Sequence, residues 1–468
     1  MTTSYADFLA QKALVHVPTG IEKPEKLHKT LFDFQGDITR WMLKRGRAAC
    51  FAGTGLGKTL MQAEAARHIE RHTKLPVLIL APLAVSYQTI EEAHRLLNLN
   101  ITFAASQADV GGRGIYITNY GKLHLFDPQA FGGVILDESS CLKSEDAKTR
   151  QKLCEDYAQT PFRMAFTATP APNDFMEIGG HAEFLGVMST SEMLSTFFVH
   201  DGGETQKWRL KGHAEKDFWE WMASWCVCIQ HPQDLGYQDE RYDLPPLKYH
   251  EVIVESEAPG VQGVDIGESG EMFAKMATDL ASRRKAKRTS IDKRVEAAAR
   301  IANSSSEQFN VWCNLNDESE ALAEAINGAL EIAGKHSDEY KEKHLLGFAK
   351  NEFRVMVSKG KIAGWGMNYQ NCHNVIKFPD DSFELVFQEI RRNWRFGQTE
   401  EVNVYLVFSE SERPILDNLK RKEEEAMRMY AELVGHMAEI SKANIKASGG
   451  RTKLEYNPRK ELKLPAWL

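Results

Sequence analysis

The sequence has few cysteines, no long apolar run and no excess of basic residues, and each shortage excludes a class of protein. Its seven cysteines are scattered and odd in number, which argues against a framework of disulfides. No stretch reaches about 18 consecutive apolar residues, and no basic segment followed by an apolar one opens the chain. A membrane span and a signal peptide are therefore not predicted, and we expect a cytoplasmic protein without a membrane partner.

The charge balance is slightly acidic, with 58 Lys and Arg against 65 Asp and Glu and a formal net charge of −7. A domain that binds nucleic acid through its overall charge is basic, so any nucleic-acid contact of this chain must come from local basic patches. The 468 residues exceed what one ordinary core contains. With 43% apolar and 26% charged residues, the composition predicts a globular protein of two or three domains.

Two series of short β-rich runs, each followed by turn residues and a helical pattern, organise the chain. Buried strands that alternate with helices indicate parallel α/β sheets. The two series are separated by roughly 140 residues of different character, which predicts two lobes rather than one sheet. The predicted strands are 48–52, 77–81, 115–118, 133–136 and 164–167 in the first series, and 310–313, 354–357, 374–378 and 402–408 in the second.

The stretch between the two series and the end of the chain have features of their own. Cys226, Cys228 and His231 lack a fourth metal ligand at a suitable spacing, so buried thiols are favoured over zinc. The basic run 282–294 fits either a phosphate-tracking segment or a solvated helix, and the basic tail from 441 is interpreted as a flexible arm that grasps DNA. Four side chains fall on one face of a predicted helix and are interpreted as core: Phe218, Trp221, Met222 and Trp225.

The strongest single signal is a glycine-rich run that follows an apolar strand and precedes a helical pattern. Glycines allow backbone N–H groups to converge on phosphate oxygens, and the start of a helix adds partial positive charge. We expect Lys58 to pair with the β- and γ-phosphates of ATP and the Thr59 hydroxyl to hold Mg²⁺. A dinucleotide fingerprint is excluded because Lys58 stands where its third Gly should be. The run is Ala52, Gly53, Thr54, Gly55, Leu56, Gly57, Lys58 and Thr59.

A second signal is the apolar run 134–136, which ends in the paired carboxylates Asp137 and Glu138. At the carboxyl end of a strand, both would face the phosphate loop of the same sheet. We expect Asp137 to orient Mg²⁺ partly through its water shell, and Glu138 to polarise the water that attacks the γ-phosphate. Alone, such a pair is often a solvated turn; Lys58 and Thr59 upstream favour the catalytic interpretation.

These two sites and several further stretches resemble the superfamily-two helicases, and within them the Swi/Snf-type DNA translocases. In that superfamily the phosphate loop commonly begins with Ala, which fits Ala52. The resemblance covers roughly residues 32–422, with the motifs in the family's order. The further stretches are Phe34-Gln35, 80–83, 117–120, 166–173, 358–370 and 388–398.

The resemblance implies a role for each matched residue. It assigns adenine recognition to Gln35 and further ATP contacts to Gly366 and Gln388. It assigns the arginine fingers, which reach the γ-phosphate from the second lobe, to Arg392 and Arg395. The implied contacts to nucleic acid, including those that couple it to hydrolysis, are Pro82, Asn119, Tyr120, Thr167, Thr169, Ser358 and Lys359.

Within the superfamily, the chain resembles compact helicases encoded by bacteriophages and prophages. The shared features are the Asp-Glu-Ser-Ser variant at 137–140, the segment PAPNDFMEIGGHAEFLGVM and the ending WRFGQ. One departure is Ser140, which stands where the family usually has a His that links the ATP site to the strand-contact motif. The route of that coupling is therefore open in this chain.

Taken together, the patterns and the resemblance predict an α/β fold of two RecA-like parallel-sheet domains with a helical insertion between them. The resemblance implies an ATP- and Mg²⁺-dependent translocase on DNA, duplex or branched, in phage replication, recombination or branch remodelling, with phage replication proteins as candidate partners. A strand-separating DNA or RNA helicase and a non-translocating ATP switch or clamp are the alternatives. The predicted regions are an N-terminal extension (1–30), lobe 1 (31–190), the insertion (191–295), lobe 2 (296–425) and a C-terminal helix with a basic tail (426–468).

Overall fold

The computed structural model describes most of the chain. It leaves Gly366, most of the basic run 282–294 and the tail beyond 446 outside the described residues. No helix within the described part is both long and apolar enough to cross a bilayer. The described ranges are 18–142, 148–171, 174–200, 208–255, 265–266, 272–273, 290–363, 367–380 and 382–446.

The first sheet has seven strands, all paired in parallel, in the order β3-β4-β2-β5-β6-β1-β9. Its strands are β1 (Arg47–Ala52), β2 (Val77–Leu80), β3 (Thr102–Phe103), β4 (Ile115–Thr118), β5 (Gly133–Asp137), β6 (Phe162–Thr167) and β9 (Cys226–Ile229). A separate antiparallel pair, β7 (Phe198–His200) and β8 (Trp208–Leu210), lies between β6 and β9 in the chain.

Helices cover both faces of the first sheet. Alternate residues of its strands point to opposite sides, and apolar side chains are buried on both. In β1, Ala48 and Cys50 enter one core, and Ala49 and Phe51 enter the other. The first core is closed by α1 (Asp33–Arg45), α2 (Lys58–Thr73) and α3 (Leu83–Leu97). The second is closed by α4 (Lys148–Asp156), α5 (Ile178–Leu185), α6 (Thr190–Phe197) and α7 (Glu215–Ala223).

The second sheet has six parallel strands in the order β10-β17-β16-β13-β15-β14. Its strands are β10 (Leu247–Val254), β13 (Phe309–Cys313), β14 (Ala329–Ile332), β15 (Val355–Lys359), β16 (Asn374–Lys377) and β17 (Val402–Ser409). β11 (Asp265–Ile266) and β12 (Met272–Phe273) pair only with each other. The helices of this lobe are α8 (Ile291–Asn303), α9 (Asn316–Ala325), α10 (Asp338–Ala349), α11 (Gly360–Ala363) and α12 (Phe383–Ile390).

Two parallel sheets flanked by helices confirm the predicted fold class of two RecA-like lobes. Every predicted strand coincides with an observed strand to within two residues at either end. Within the stretch between the lobes, β9 lies at the edge of the first sheet and β10 at the edge of the second. Its aromatic helix is core, as expected: all four predicted side chains are buried. Cys226 and Cys228 are buried thiols on β9.

The longest helix, α13 (Arg413–Lys446), begins in the second lobe and ends on the first. Leu416 and Leu419 belong to the core of the second lobe, whereas Leu433 and Met437 are buried in the core of the first. The helix continues through Lys446, so the start of the predicted flexible tail is helical and packed on the first lobe: Asn444 donates to the carbonyl of Ala223 at 3.2 Å.

The end of the predicted basic run also differs from both of its interpretations. Arg294 is completely buried in α8, where its guanidinium pairs with Glu318 at 2.8 Å and with Glu412 at 3.4 Å. A buried cation needs such paired carboxylates because desolvation disfavours its charge. Arg294 is therefore a structural ion pair of the second lobe, neither a phosphate contact nor part of a solvated surface.

Candidate active site

The predicted phosphate loop joins the end of β1 to the start of α2, at the carboxyl edge of the first sheet. Gly55 and Gly57 have φ angles of 88° and 80°, a region in which residues with a Cβ are strained. A Cβ on Gly57 would also lie 2.3 Å from the side-chain nitrogen of Gln35. The two glycines thus allow a tight turn ahead of a helix N-terminus, the arrangement that binds phosphate through backbone N–H groups.

Lys58 is the first residue of α2 and folds back over the loop. Its ammonium donates to the carbonyl oxygens of Ala52 at 2.9 Å and Gly53 at 3.3 Å. Burial lowers the pKa of Lys58, and the charges of Glu138 and Asp137 oppose that shift. Lys58 therefore lies within electrostatic range of both carboxylates, as the sequence predicts for residues at the same edge of the sheet.

Asp137 ends β5 and is held from two sides. The amide of Gln62, one turn after Lys58 on α2, donates to its carboxylate at 2.6 Å, and the Tyr120 hydroxyl donates to its backbone carbonyl at 2.7 Å. Burial and the neighbouring charge of Glu138 raise the pKa of Asp137 to about 6, while Gln62 and Lys58 act in the opposite direction. Gln62 was not predicted, although its position four residues after the lysine of the loop was a usable signal.

Glu138 follows Asp137 with a φ of 48°, which is unusual for a residue with a side chain. Its carboxylate lies 3.5 Å from the hydroxyl of Thr167, at the end of the neighbouring strand β6. The same hydroxyl accepts the backbone N–H of Thr169 at 3.1 Å. The predicted coupling motif therefore lies directly beside the predicted catalytic carboxylate.

The two predicted arginine fingers follow α12 and face the first lobe. Burial lowers the pKa of Arg392, and the charge of Glu138 opposes that shift. Burial and the nearby charge of Arg392 lower the pKa of Arg395 to about 10, opposed by Glu92 and Glu138. Both arginines of the second lobe thus lie within electrostatic range of Glu138 in the first.

A chain of polar contacts crosses between the lobes at Arg395. Its guanidinium donates to the side-chain oxygen of Asn368, and the Asn368 amide donates to Glu92 of α3 at 3.2 Å. Asn368 lies in the stretch 358–370 that the resemblance singles out, but it was not predicted as a site residue. It fixes the arginine against the first lobe without itself carrying charge.

Aromatic rings close the other side of the loop. Phe396 packs against Tyr242, with ring centroids 4.6 Å apart, and Phe32 lies 6.0 Å from Phe396. Gln35 accepts the backbone N–H of Phe32 at 3.0 Å and donates to the carbonyl of Leu56 at 3.0 Å, so its amide braces the loop. Tyr242 was missed because it lies in the stretch between the lobes, about 200 residues from its partner Gln35.

A cavity of about 500 Å³ adjoins the phosphate loop between the lobes. Its volume is within the range of small-molecule sites. It lies on the side of the loop that faces α13, and its wall includes Thr54, Leu56, Tyr242, Trp394, Phe396 and Tyr430.

Five of the seven predicted nucleic-acid contacts fall into two groups. Pro82, Asn119 and Lys359 are partly exposed and stay candidates. Ser358 is completely buried and donates to the carbonyl of Ile332 at 2.7 Å, so its side chain belongs to the core of the second lobe. The Tyr120 hydroxyl is likewise engaged, with Asp137, as described above. Both hydroxyls therefore have partners inside the protein, and the predicted contacts of these two residues stay predictions.

The donor set at this edge fits Mg²⁺. Hard oxygen ligands suit this ion, and Thr59 and Asp137 supply a hydroxyl and a carboxylate next to the loop. Asp137 is 5% exposed and its carboxylate is oriented by Gln62, as a ligand that must keep one geometry requires. Thr59 and Asp137 are thus the residues that would hold the ion.

Comparison with known proteins gives a family match that covers part of the first lobe. Residues 26–172, which include the phosphate loop, Asp137 and Glu138, match the ResIII family, described as the type III restriction enzyme, res subunit. No curated protein matches the chain. Among solved structures, the Sulfolobus solfataricus SWI2/SNF2 ATPase core in complex with dsDNA is similar over 91% of this chain and 98% of that chain, at 16% identity and a TM-score of 0.42.

Proposed function

We propose that this chain is a superfamily-two helicase and a nucleic-acid-dependent ATPase that couples ATP hydrolysis between its lobes to movement along duplex DNA. One observation carries the proposal. A Cβ on Gly55 of the phosphate loop would lie 3.0 Å from the backbone nitrogen of Phe396 and 3.7 Å from the Cβ of Arg395. The arginine motif of one lobe therefore abuts the phosphate loop of the other.

In this proposal the first lobe holds ATP. The loop N–H groups and Lys58 bind the phosphates, and Thr59 and Asp137 hold Mg²⁺, which supplies positive charge to the phosphates when it is bound. Glu138 accepts the proton of the attacking water. Its neighbours support that role, since Asp137 and Thr167 flank the carboxylate and Lys58 lies within range of its charge.

The second lobe supplies Arg392 and Arg395, whose charges stabilise the negative charge that develops on the transferred phosphoryl group. Arginine fingers are worth about 10³ to 10⁵ in rate where they have been measured. Because these arginines lie on a different lobe from the loop, hydrolysis depends on how the lobes are juxtaposed. Nucleic acid that contacts both lobes would favour the closed form and so stimulate turnover.

The choice of duplex DNA rests on the likeness of the arginine motif at 388–398 to that of the Swi/Snf-type translocases. The likeness to phage-encoded helicases extends the proposal to phage replication, recombination or branch remodelling, with phage replication proteins as partners. Partly exposed Pro82, Asn119 and Lys359 are the proposed contacts to the DNA backbone. Such contacts to phosphates make the affinity fall steeply with salt, even for an acidic protein.

The test compares ATP turnover without nucleic acid and with single-stranded DNA, duplex, fork and RNA, followed by triplex and strand displacement. Stimulation by duplex together with triplex displacement is the expected result. Stimulation by forks or RNA with strand displacement would favour a strand-separating helicase. Turnover without any displacement would favour a switch or clamp, and the absence of stimulation by every nucleic acid would overturn the proposal.

A further inference from the structure

Helix α5 lies against the turn that follows the catalytic carboxylates. The turn is a short 3₁₀ helix at Ser139–Leu142, and a Cβ on Gly180 of α5 would lie 1.9 Å from the carbonyl oxygen of Leu142. Only glycine permits this approach, because no side chain fits between the two backbones. The proposed mechanism gives α5 no role.

The next residue of α5, His181, reaches the catalytic strand. Its Nε2 lies 3.0 Å from the hydroxyl of Ser139, and both side chains are completely buried. The ring also packs edge-on against Phe51, with centroids 5.0 Å apart and planes at 82°. Phe51 is the residue before Ala52 on β1, so one imidazole contacts both the strand that leads into the phosphate loop and the residue that follows Glu138.

Glu138 itself needs such support. Its φ of 48° is costly for a residue with a side chain and persists only where the surroundings determine it. On one side, Asp137 is fixed by Gln62 and Tyr120. On the other side, the contact of Ser139 with His181 fixes the residue that follows.

We propose that His181 is a positioning residue for hydrolysis: through Ser139 it holds the strained Glu138 in the orientation that activates water, and through Phe51 it ties that orientation to the phosphate loop. The inference rests on the proposed function. It also addresses the departure at Ser140, because a histidine from a separate helix contacts the neighbouring position.

The test uses three single variants and one double variant. His181→Phe keeps a ring against Phe51 without the hydrogen bond, Ser139→Ala removes the hydroxyl, and His181→Gln restores a polar group. If the hydrogen bond between His181 and Ser139 stabilises the transition state, its loss in His181→Phe or Ser139→Ala should lower kcat with DNA about tenfold. The KM for ATP should stay unchanged within about twofold. The double variant His181→Phe with Ser139→Ala should be no slower than the slower single variant, and His181→Gln should recover most of the rate.

The readouts separate positioning from general destabilisation. The inference would be overturned if the losses of kcat in the two single variants added up in the double variant. It would also be overturned if the KM for ATP rose as much as kcat fell. If His181→Phe does not fold, Ser139→Ala gives the same test with a smaller change. Normal DNA-stimulated turnover in every variant overturns this inference alone, whereas wild-type protein without nucleic-acid stimulation overturns the proposed function as well.

Discussion

The two lobes contribute to the candidate site in different ways. In the first lobe, the charged groups are fixed by partners of the same lobe: Lys58 by the carbonyls of the loop and Asp137 by Gln62 and Tyr120. In the second lobe, Arg395 is fixed by Asn368, whose amide itself reaches across to Glu92. The first lobe can therefore keep its geometry alone, whereas the position of the arginine depends on both lobes. Binding of ATP and its hydrolysis should accordingly respond differently to mutation.

The largest expected effect is that of Lys58→Ala in the first lobe. Removing the ammonium leaves the negative charge of the phosphates uncompensated in both the bound and the reacting state, so both ATP affinity and turnover should fall, the latter by more than about 10³-fold. Steady-state ATPase assays and fluorescent-nucleotide titration measure the two losses. Lys343→Ala, at an exposed lysine of α10, is the control. Near-normal turnover of the Lys58 variant would remove the lysine from the mechanism.

The next largest effect is expected for Arg395→Ala in the second lobe, which should separate ATP binding from hydrolysis most clearly. In the proposed mechanism the arginine acts on hydrolysis and not on the shape of the phosphate loop. DNA-stimulated turnover should therefore fall about 10³-fold while nucleotide affinity changes little. The same two assays apply, with Arg300→Ala as the control because that side chain is 75% exposed. Equal stimulation by DNA in the variant and the wild type would refute the assignment of the finger.

The next prediction concerns Glu138→Gln, which removes the proposed base but keeps the shape of the side chain. Loss of a positioned general base costs about 10² to 10⁴ in rate. ATP should still bind, and DNA should be held in the ATP-bound state, as gel-shift assays with and without ATP would detect. Glu296→Gln on α8 is a suitable control, since that side chain is 66% exposed. Unaltered turnover would exclude Glu138 as the base.

The comparison also explains how much of the site could be predicted from the sequence. The loop and Asp137-Glu138 were accessible because each is a local pattern: an apolar strand, then glycines or carboxylates at its carboxyl end. The sequence did not single out Tyr242, His181 and Asn368. Their partners are distant in the chain, and no periodicity of the sequence predicts such contacts. The burial of the Ser358 side chain could not be predicted either, because a place in a motif does not reveal which way a side chain points.

The same holds for the fold: features set by neighbouring residues were predicted, and features set by distant parts of the chain were not. Strands inside each series were predicted because apolar runs bounded by turns are local signals. β9 was not predicted, although its four residues are all buried, because the run CVCI is short and contains two residues that were considered as metal ligands. The return of α13 to the first lobe likewise could not be predicted, since amphipathic spacing shows that a helix buries one face but not which lobe covers it.

The smallest expected effect concerns the contact of α13 with the first lobe. Tyr430 of α13 donates its hydroxyl to the carbonyls of Phe51 at 2.8 Å and Ile229 at 3.1 Å, so a helix rooted in the second lobe contacts the strand that leads into the phosphate loop. Tyr430→Phe removes these bonds and should lower the stability by about 1 kcal/mol. DNA-stimulated turnover should fall a few-fold, because the lobes are then less firmly held together.

Tyr249→Phe is the matched control, because the Tyr249 hydroxyl, on β10 of the second lobe, bonds to Glu423 of α13 at 3.3 Å and so stays within one lobe. Thermal unfolding and ATPase assays on both variants separate the two cases. If the Tyr249 variant loses as much DNA stimulation as the Tyr430 variant, the contact of α13 with the first lobe has no special part in coupling. A loss confined to the Tyr430 variant would mean that the second lobe influences the phosphate loop through the helix as well as through its arginines.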